Sequence, residues 1–135
     1  KAGVTIFHSP NESPMTKDIH VLDNEINLSG LGIFPRKVQT MYFYWLAKSM
    51  GVEVLLIAGF STPLCIFERP IGVQALSRYE GIQYVLVRDA THTWEYNDFG
   101  EDVFTRNFIS YLEHAYLKTA SVDEITNKVL VNLNE

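Results

Sequence analysis

The run Val52-Glu53-Val54-Leu55-Leu56-Ile57 is almost continuously apolar and then breaks at Ala58-Gly59-Phe60-Ser61-Thr62-Pro63-Leu64-Cys65. A short apolar run bounded by Gly and Pro reads as a strand covered on both faces. Val4-Thr5-Ile6-Phe7-His8, closed by Ser9-Pro10, and Gln83-Tyr84-Val85-Leu86-Val87, ending in Arg88-Asp89, have the same character. Between these runs the period changes to that of a helix. From Arg36, the residues Val38, Met41, Tyr42, Trp45 and Leu46 fall on one helical face, with Lys48 in the last turn and Gly51 as the stop. A second helix is expected from Cys65 to about Tyr79, kinked or restarted by Pro70, with Gly81 behind it. A third follows from about Gly100, with Phe104, Phe108, Tyr111, Leu112 and Ala115 as its buried stripe. Apolar strands alternating with helices predict an α/β fold of three layers, αβα, around a mostly parallel sheet, in a single domain over residues 1–135.

Ile19-His20-Val21-Leu22 is a candidate strand, and Asp23 to Pro35 reads as loop. Gly30 and Gly32 do not make a phosphate loop, because no Lys-Ser/Thr follows at the required spacing. Ser121-Val122-Asp123-Glu124 has the form of a capping box opening a short terminal helix. The cluster Tyr42-Phe43-Tyr44-Trp45 is apolar on more than one face, which fits core packing or an interface helix.

Charge and composition narrow the function classes. The net charge of −5 and the absence of any basic block argue against nucleic acid and anionic membrane surfaces as partners. No apolar run approaches the ~18 residues that span a bilayer, and the first residues lack the form of a secretory signal. A single cysteine excludes internal disulfides and a cysteine metal knot. The expectation is a cytoplasmic protein acting on a small molecule, without cofactor or metal.

The chemistry-bearing residues collect at strand ends. In open parallel sheets ligands bind outside the carboxyl ends of the strands, and His8, Cys65 and Asp89 sit at such ends. A cysteine that opens a helix meets free N–H groups and the positive end of the dipole, which favour the nucleophilic thiolate. The alternative is a small apolar residue packed at a strand end. His8 reads as a substrate contact, a metal ligand or a structural histidine, the last favoured because no spaced Asp/His set accompanies it. Asp89 reads as a brace or cap for the following loop. Trp94, and less so His92, could line a pocket from that loop. Glu68 suits the first helical turn, and Arg69 beside it points elsewhere, toward another carboxylate or a second subunit.

The order of these elements, centred on Gly59-Phe60-Ser61-Thr62-Pro63-Leu64-Cys65, resembles the isochorismatase-like cysteine hydrolases, which include nicotinamidases and N-carbamoyl amidohydrolases. Gly59, Thr62, Cys65 and Ile66 fit the family pattern Gly-x-x-Thr/Ser-x-x-Cys-Val. Ala2 to Pro10 resembles the family's second strand, and Tyr84 to Ala90 the strand after the cysteine helix. Arg69-Pro70-Ile71-Gly72 and the tail Thr119-Ala120-Ser121-Val122-Asp123 are similar to a less-characterised branch. The resemblance implies a Rossmann-like fold and attack by Cys65 on the carbonyl of a small amide or related C–N bond, through a thioester. It implies a cis bond at Phe60-Ser61 and an oxyanion hole of backbone N–H groups at Ser61 and Cys65; His8, Phe60 and Trp94 are the residues expected to line the substrate pocket.

The family triad is Asp-Lys-Cys. Its Asp belongs to a first strand upstream of Lys1-Ala2-Gly3, which implies that the chain is shortened at its N-terminus relative to the family. The position of its Lys falls near Asp23-Asn24-Glu25-Ile26-Asn27, which holds no lysine; Lys17 is nearest, and Glu25 is a carboxylate able in principle to act as a base. Two readings stay open: a shortened hydrolase, or a catalytically inactive relative serving as a small-molecule-binding or oligomeric scaffold. A missing strand leaves a sheet surface for a second copy to cover, so a homo-oligomer is expected.

Overall fold

The computed structural model of the chain describes residues 6–8, 25–95 and 102–133. They form β1 (Ile6–His8), β2 (Glu25–Asn27), a 3-10 helix (Ser29–Ile33), α1 (Arg36–Ser49), β3 (Val54–Phe60), a wide π-type turn (Thr62–Ile66), α2 (Val73–Leu76), β4 (Gln83–His92), α3 (Val103–Ala115), β5 (Lys118–Ala120) and α4 (Val122–Leu133). All the pairings among them are parallel: β1 with β2, and β3–β4–β5 as a three-stranded sheet with β4 central. The fold is therefore α/β with parallel sheet, as the apolar strands required.

Alternation along the strands decides what is buried. In register, Leu55 meets Tyr84 and Ile57 meets Leu86, so these four lie on one sheet face. Leu86 is fully buried with Ile66, Val73, Ile109 and Leu112, and Ile57 packs against that cluster. Leu55 and Tyr84 pack against a second cluster of Leu28, Leu31, Phe43 and Leu76. On the opposite face Val85 and Val87 are buried, whereas Val54 and Leu56 of β3 are exposed.

Several expectations are corrected. The segment read as loop before Pro35 contains β2 and the 3-10 helix, because backbone pairing of Glu25–Asn27 with Ile6–His8 supplies what its sequence does not advertise. The helix expected from Cys65 to Tyr79 is instead a five-residue turn and the four-residue α2. Pro70 and Gly72 divide them: an N–H from Gly72 reaches the Arg69 carbonyl at 2.8 Å, and Gln74 N–H reaches Phe67 at 3.1 Å, folding the chain back on itself. The stripe of α3 is Thr105, Ile109 and Leu112, with Phe108 packed beside it, while Tyr111 and Ala115 are exposed. β5 was not anticipated. The capping box at Ser121 is present: its Oγ accepts the Glu124 N–H, and Glu124 Oε2 accepts the Ser121 N–H at 2.7 Å. Candidate strand Ile19–Leu22 lies outside the described residues.

Candidate functional site around Cys65

β3 delivers the cysteine turn. The β3–β4 register shifts between Ile57 and Gly59, so that Gly59 pairs with Thr91 and Phe60 with His92. Gly59 has φ of 127°, a conformation that side-chain-bearing residues rarely adopt, which is why glycine stands at the bend. The Phe60–Ser61 peptide is cis, as the resemblance implies. β4 therefore continues past Asp89 to His92, and its end lies beside the start of the cysteine turn.

This register brings Phe60 and Trp94 together. Their rings meet edge to face at 4.8 Å, and both remain exposed, so two of the three residues assigned to a substrate pocket form one aromatic wall. The third, His8, is placed only as the last residue of β1, opposite Asn27. The chain neighbours of this pair, Ser61 and Thr93, are buried. Ser61 Oγ and Thr93 Oγ1 are hydrogen-bonded at 2.5 Å, and Thr93 N–H donates to Thr105 Oγ1 at 3.3 Å. These bonds tie the cysteine turn to β4 and to the first turn of α3.

Cys65 itself is half-buried and free. The Ser61 carbonyl accepts the N–H groups of Leu64 and Ile66, both at 3.1 Å, which closes the turn around it. Since the turn has only five residues, the dipole of a long helix is not available to the thiol, contrary to expectation. Thr62, three residues before Cys65 and fully buried, is the one buried side chain among the described residues whose hydroxyl has no partner. A buried hydroxyl left unpaired is costly, and such an atom asks for a ligand or an explanation.

Asp89 does not reach this site. Its carboxylate accepts the Val122 N–H at 2.9 Å and so caps α4; it braces no following loop, because β4 continues through Ala90 to His92. Glu68 follows the turn and is exposed; its carbonyl accepts a hydrogen bond from Arg36. The neighbouring Arg88 pairs with Glu124 at 2.9 Å. Hydrogen bonding from Arg88, then from Ser121, holds the Glu124 carboxyl down at about 2.

Sequence reasoning missed Glu95 and Asp102. His92 Nε2 lies 3.0 Å from Asp102 Oδ1, and His92, Glu95 and Asp102 together offer three metal-capable atoms within 4.8 Å of one another. Both Glu95 oxygens, however, accept N–H groups at the start of α3: Phe104 at 2.9 Å and Thr105 at 2.8 Å. Partial burial pushes the Glu95 carboxyl up, but these bonds, the Thr105 hydroxyl and nearby His92 outweigh it and lower it overall. A cation here would face the positive end of α3, so the arrangement is a helix cap rather than a metal centre. The spacing of Glu95 before the helix carries no capping signature, because its reach to α3 depends on the fold.

No protein-family model, no curated protein and no solved structure matches this chain. No helix among the described residues is long and apolar enough to cross a membrane.

Proposed function

We propose that the protein is an isochorismatase-like hydrolase of small amides or related C–N bonds, with Cys65 as nucleophile, in a three-layer fold of that family. The observation that carries the reading is the orphaned Thr62 hydroxyl buried in the same turn as a half-buried cysteine, at the carboxyl end of a parallel strand. Phe60 and Trp94, packed edge to face, supply an apolar wall for a small substrate, and the N–H groups of Ser61 and Cys65 are the candidate donors to the oxyanion. The Cys65 thiolate attacks the carbonyl carbon and forms a C–S bond; the C–N bond breaks and the nitrogen leaves as an amine after taking a proton from water. Water then attacks the thioester, giving a carboxylate and regenerating the thiolate.

The test is intact-mass spectrometry and ammonia release with primary amides and N-carbamoyl compounds, with hydroxylamine as the thioester trap. Acyl transfer to Cys65 that disappears in Cys65→Ala supports the reading. No acyl adduct and no ammonia above the Cys65→Ala level overturns it. The same reading includes self-association, favoured by the exposed Val38, Met41, Tyr42 and Trp45 on α1. Light scattering tests this: a monomer at all concentrations removes the oligomer from the proposal.

A further inference from the structure

We propose that the cavity between the first turn of α1 and the segment around α2 binds a small dianion, of the class of phosphate monoesters. It is an open cleft of about 480 Å³, and Arg36, Lys37, Glu68, Gln74 and Arg78 are among its lining residues; Cys65 is not. That volume lies within the range of small-molecule sites. The chain as a whole carries −5, yet three cations and one carboxylate meet here, a local surplus of two positive charges. Lys37 and Arg78 make no ion pair among the described residues. Arg36, a lining residue, spends one donor on the Glu68 carbonyl and has further N–H groups to offer a ligand.

The placement of these cations is unfavourable without an anion. Arg36 and Lys37 occupy the first turn of α1, where the helix dipole repels positive charge, and Pro35 offers no side-chain cap. Arg78 is contributed by the segment after α2, and its planar fork matches two oxygens of a phosphate. Glu68 works against binding, and so acts as a brake on affinity that can be removed without touching the cations.

The experiment is calorimetric titration of the full chain with inorganic phosphate and with phenyl phosphate, at ionic strength held constant by sodium chloride. Saturable binding is expected, weakened about tenfold by Arg78→Gln, the loss of one charge-assisted contact. Lys37→Gln weakens it less, Glu68→Gln tightens it, and Lys128→Gln, remote on α4, leaves it unchanged. All four side chains are exposed, so the variants fold. Heat that does not saturate, or an affinity that Arg78→Gln leaves unchanged, overturns the proposal. Because Cys65 takes no part, Cys65→Ala retains the binding, and the outcome is independent of the hydrolase reading.

Discussion

Gly72→Ala is the substitution whose effect can be worked most directly from the structure. A Cβ at this position would lie 2.8 Å from the carbonyl oxygens of both Ile66 and Phe67 and 2.9 Å from that of Arg69. Carbon–oxygen contacts normally fall at about 3.3–3.6 Å, so each oxygen must retreat by about half an ångström. None is free to do so. The Arg69 oxygen accepts the Gly72 N–H, the Phe67 oxygen accepts the Gln74 N–H, and Ile66 is packed in the core beside Leu86. Overpacking of this kind costs roughly 1–3 kcal/mol, and loosening one backbone hydrogen bond adds about 1, giving roughly 2–4 kcal/mol. For a chain of this length that lowers Tm by roughly 6–15 °C. The cause is close approach and not backbone conformation, since φ at Gly72 is −99°, open to any residue. Urea unfolding of a glycine series separates the two causes. Gly30→Ala and Gly32→Ala, with no heavy atom within 4 Å, should stay within about 0.5 kcal/mol of the parent. Gly81→Ala, at φ of 94°, would meet the flexible end of Lys48 at 3.0 Å and the Tyr44 hydroxyl at an ordinary 3.6 Å, and should lose about 1–2 kcal/mol, mainly to backbone strain. A Gly72→Ala protein as stable as Gly30→Ala would refute the reasoning.

Two of the buried threonines, Thr62 and Thr40, should respond to one substitution with opposite signs. Thr62→Val removes an unpaired hydroxyl and should stabilise the protein by about 1 kcal/mol while abolishing acyl transfer at Cys65. Thr40→Val removes the donor to the Pro70 carbonyl and should destabilise it by about 1–3 kcal/mol, both read by urea unfolding. Glu95→Ala strips the cap from α3 and should cost about 1–2 kcal/mol, with Glu95→Gln recovering part of it; equal losses in the two variants would count against capping. Burial, and secondarily Tyr44, raises the Tyr84 phenol to about 12. Its neutral form is thus favoured by folding, a contribution present below pH 10 and lost as pH climbs from 10 to 12. Tyr84→Phe should flatten the stability profile in that window, and an unchanged slope would exclude Tyr84 as its source.

What could be read from the sequence was what a long apolar period or a local motif encodes. β3, β4 and α1 announce themselves through runs of several residues, and the capping box at Ser121 through its own four. β2 and β5 have three residues each and exist because Ile6–His8 and Val85–Val87 pair with them. No window that short carries a period. The extension of β4 to His92 was hidden for a related reason: the register shift beside Gly59 is a property of two strands together. The site divides in the same way. Cys65 just beyond the end of β3 was legible; the partner of Asp89, the distant N–H of Val122, was not. The Phe60–Trp94 contact, the Ser61–Thr93 bond and the Glu95 cap all join residues brought close only by pairing and packing.

Helix α1 shows how tertiary contacts can override a sequence pattern. Its apolar stripe of Val38, Met41, Tyr42 and Trp45 is exposed, Trp45 by 62%, while Gln39, Thr40, Phe43 and Ala47 are buried. Two polar residues go inward because each has an assigned partner there. Gln39 Nε2 donates to the Phe34 carbonyl at 2.8 Å, and the Thr40 hydroxyl to Pro70 in the loop wrapped around Gly72. Tyr44 reaches the Glu80 carbonyl and Arg36 that of Glu68, so four side chains fix the rotation of one helix. Each tether is worth only about 1 kcal/mol, against about 1.5–3 kcal/mol for burying one large apolar side chain. The tethers prevail because the rotation that buried Trp45 would also expose Phe43 and Ala47, now in the core, and so gain little apolar burial. The same contacts that hold α1 also seat the loop behind Cys65: Thr40 grips Pro70, Pro70 and Gly72 turn the chain, and that turn ends the helix the sequence had promised to the cysteine.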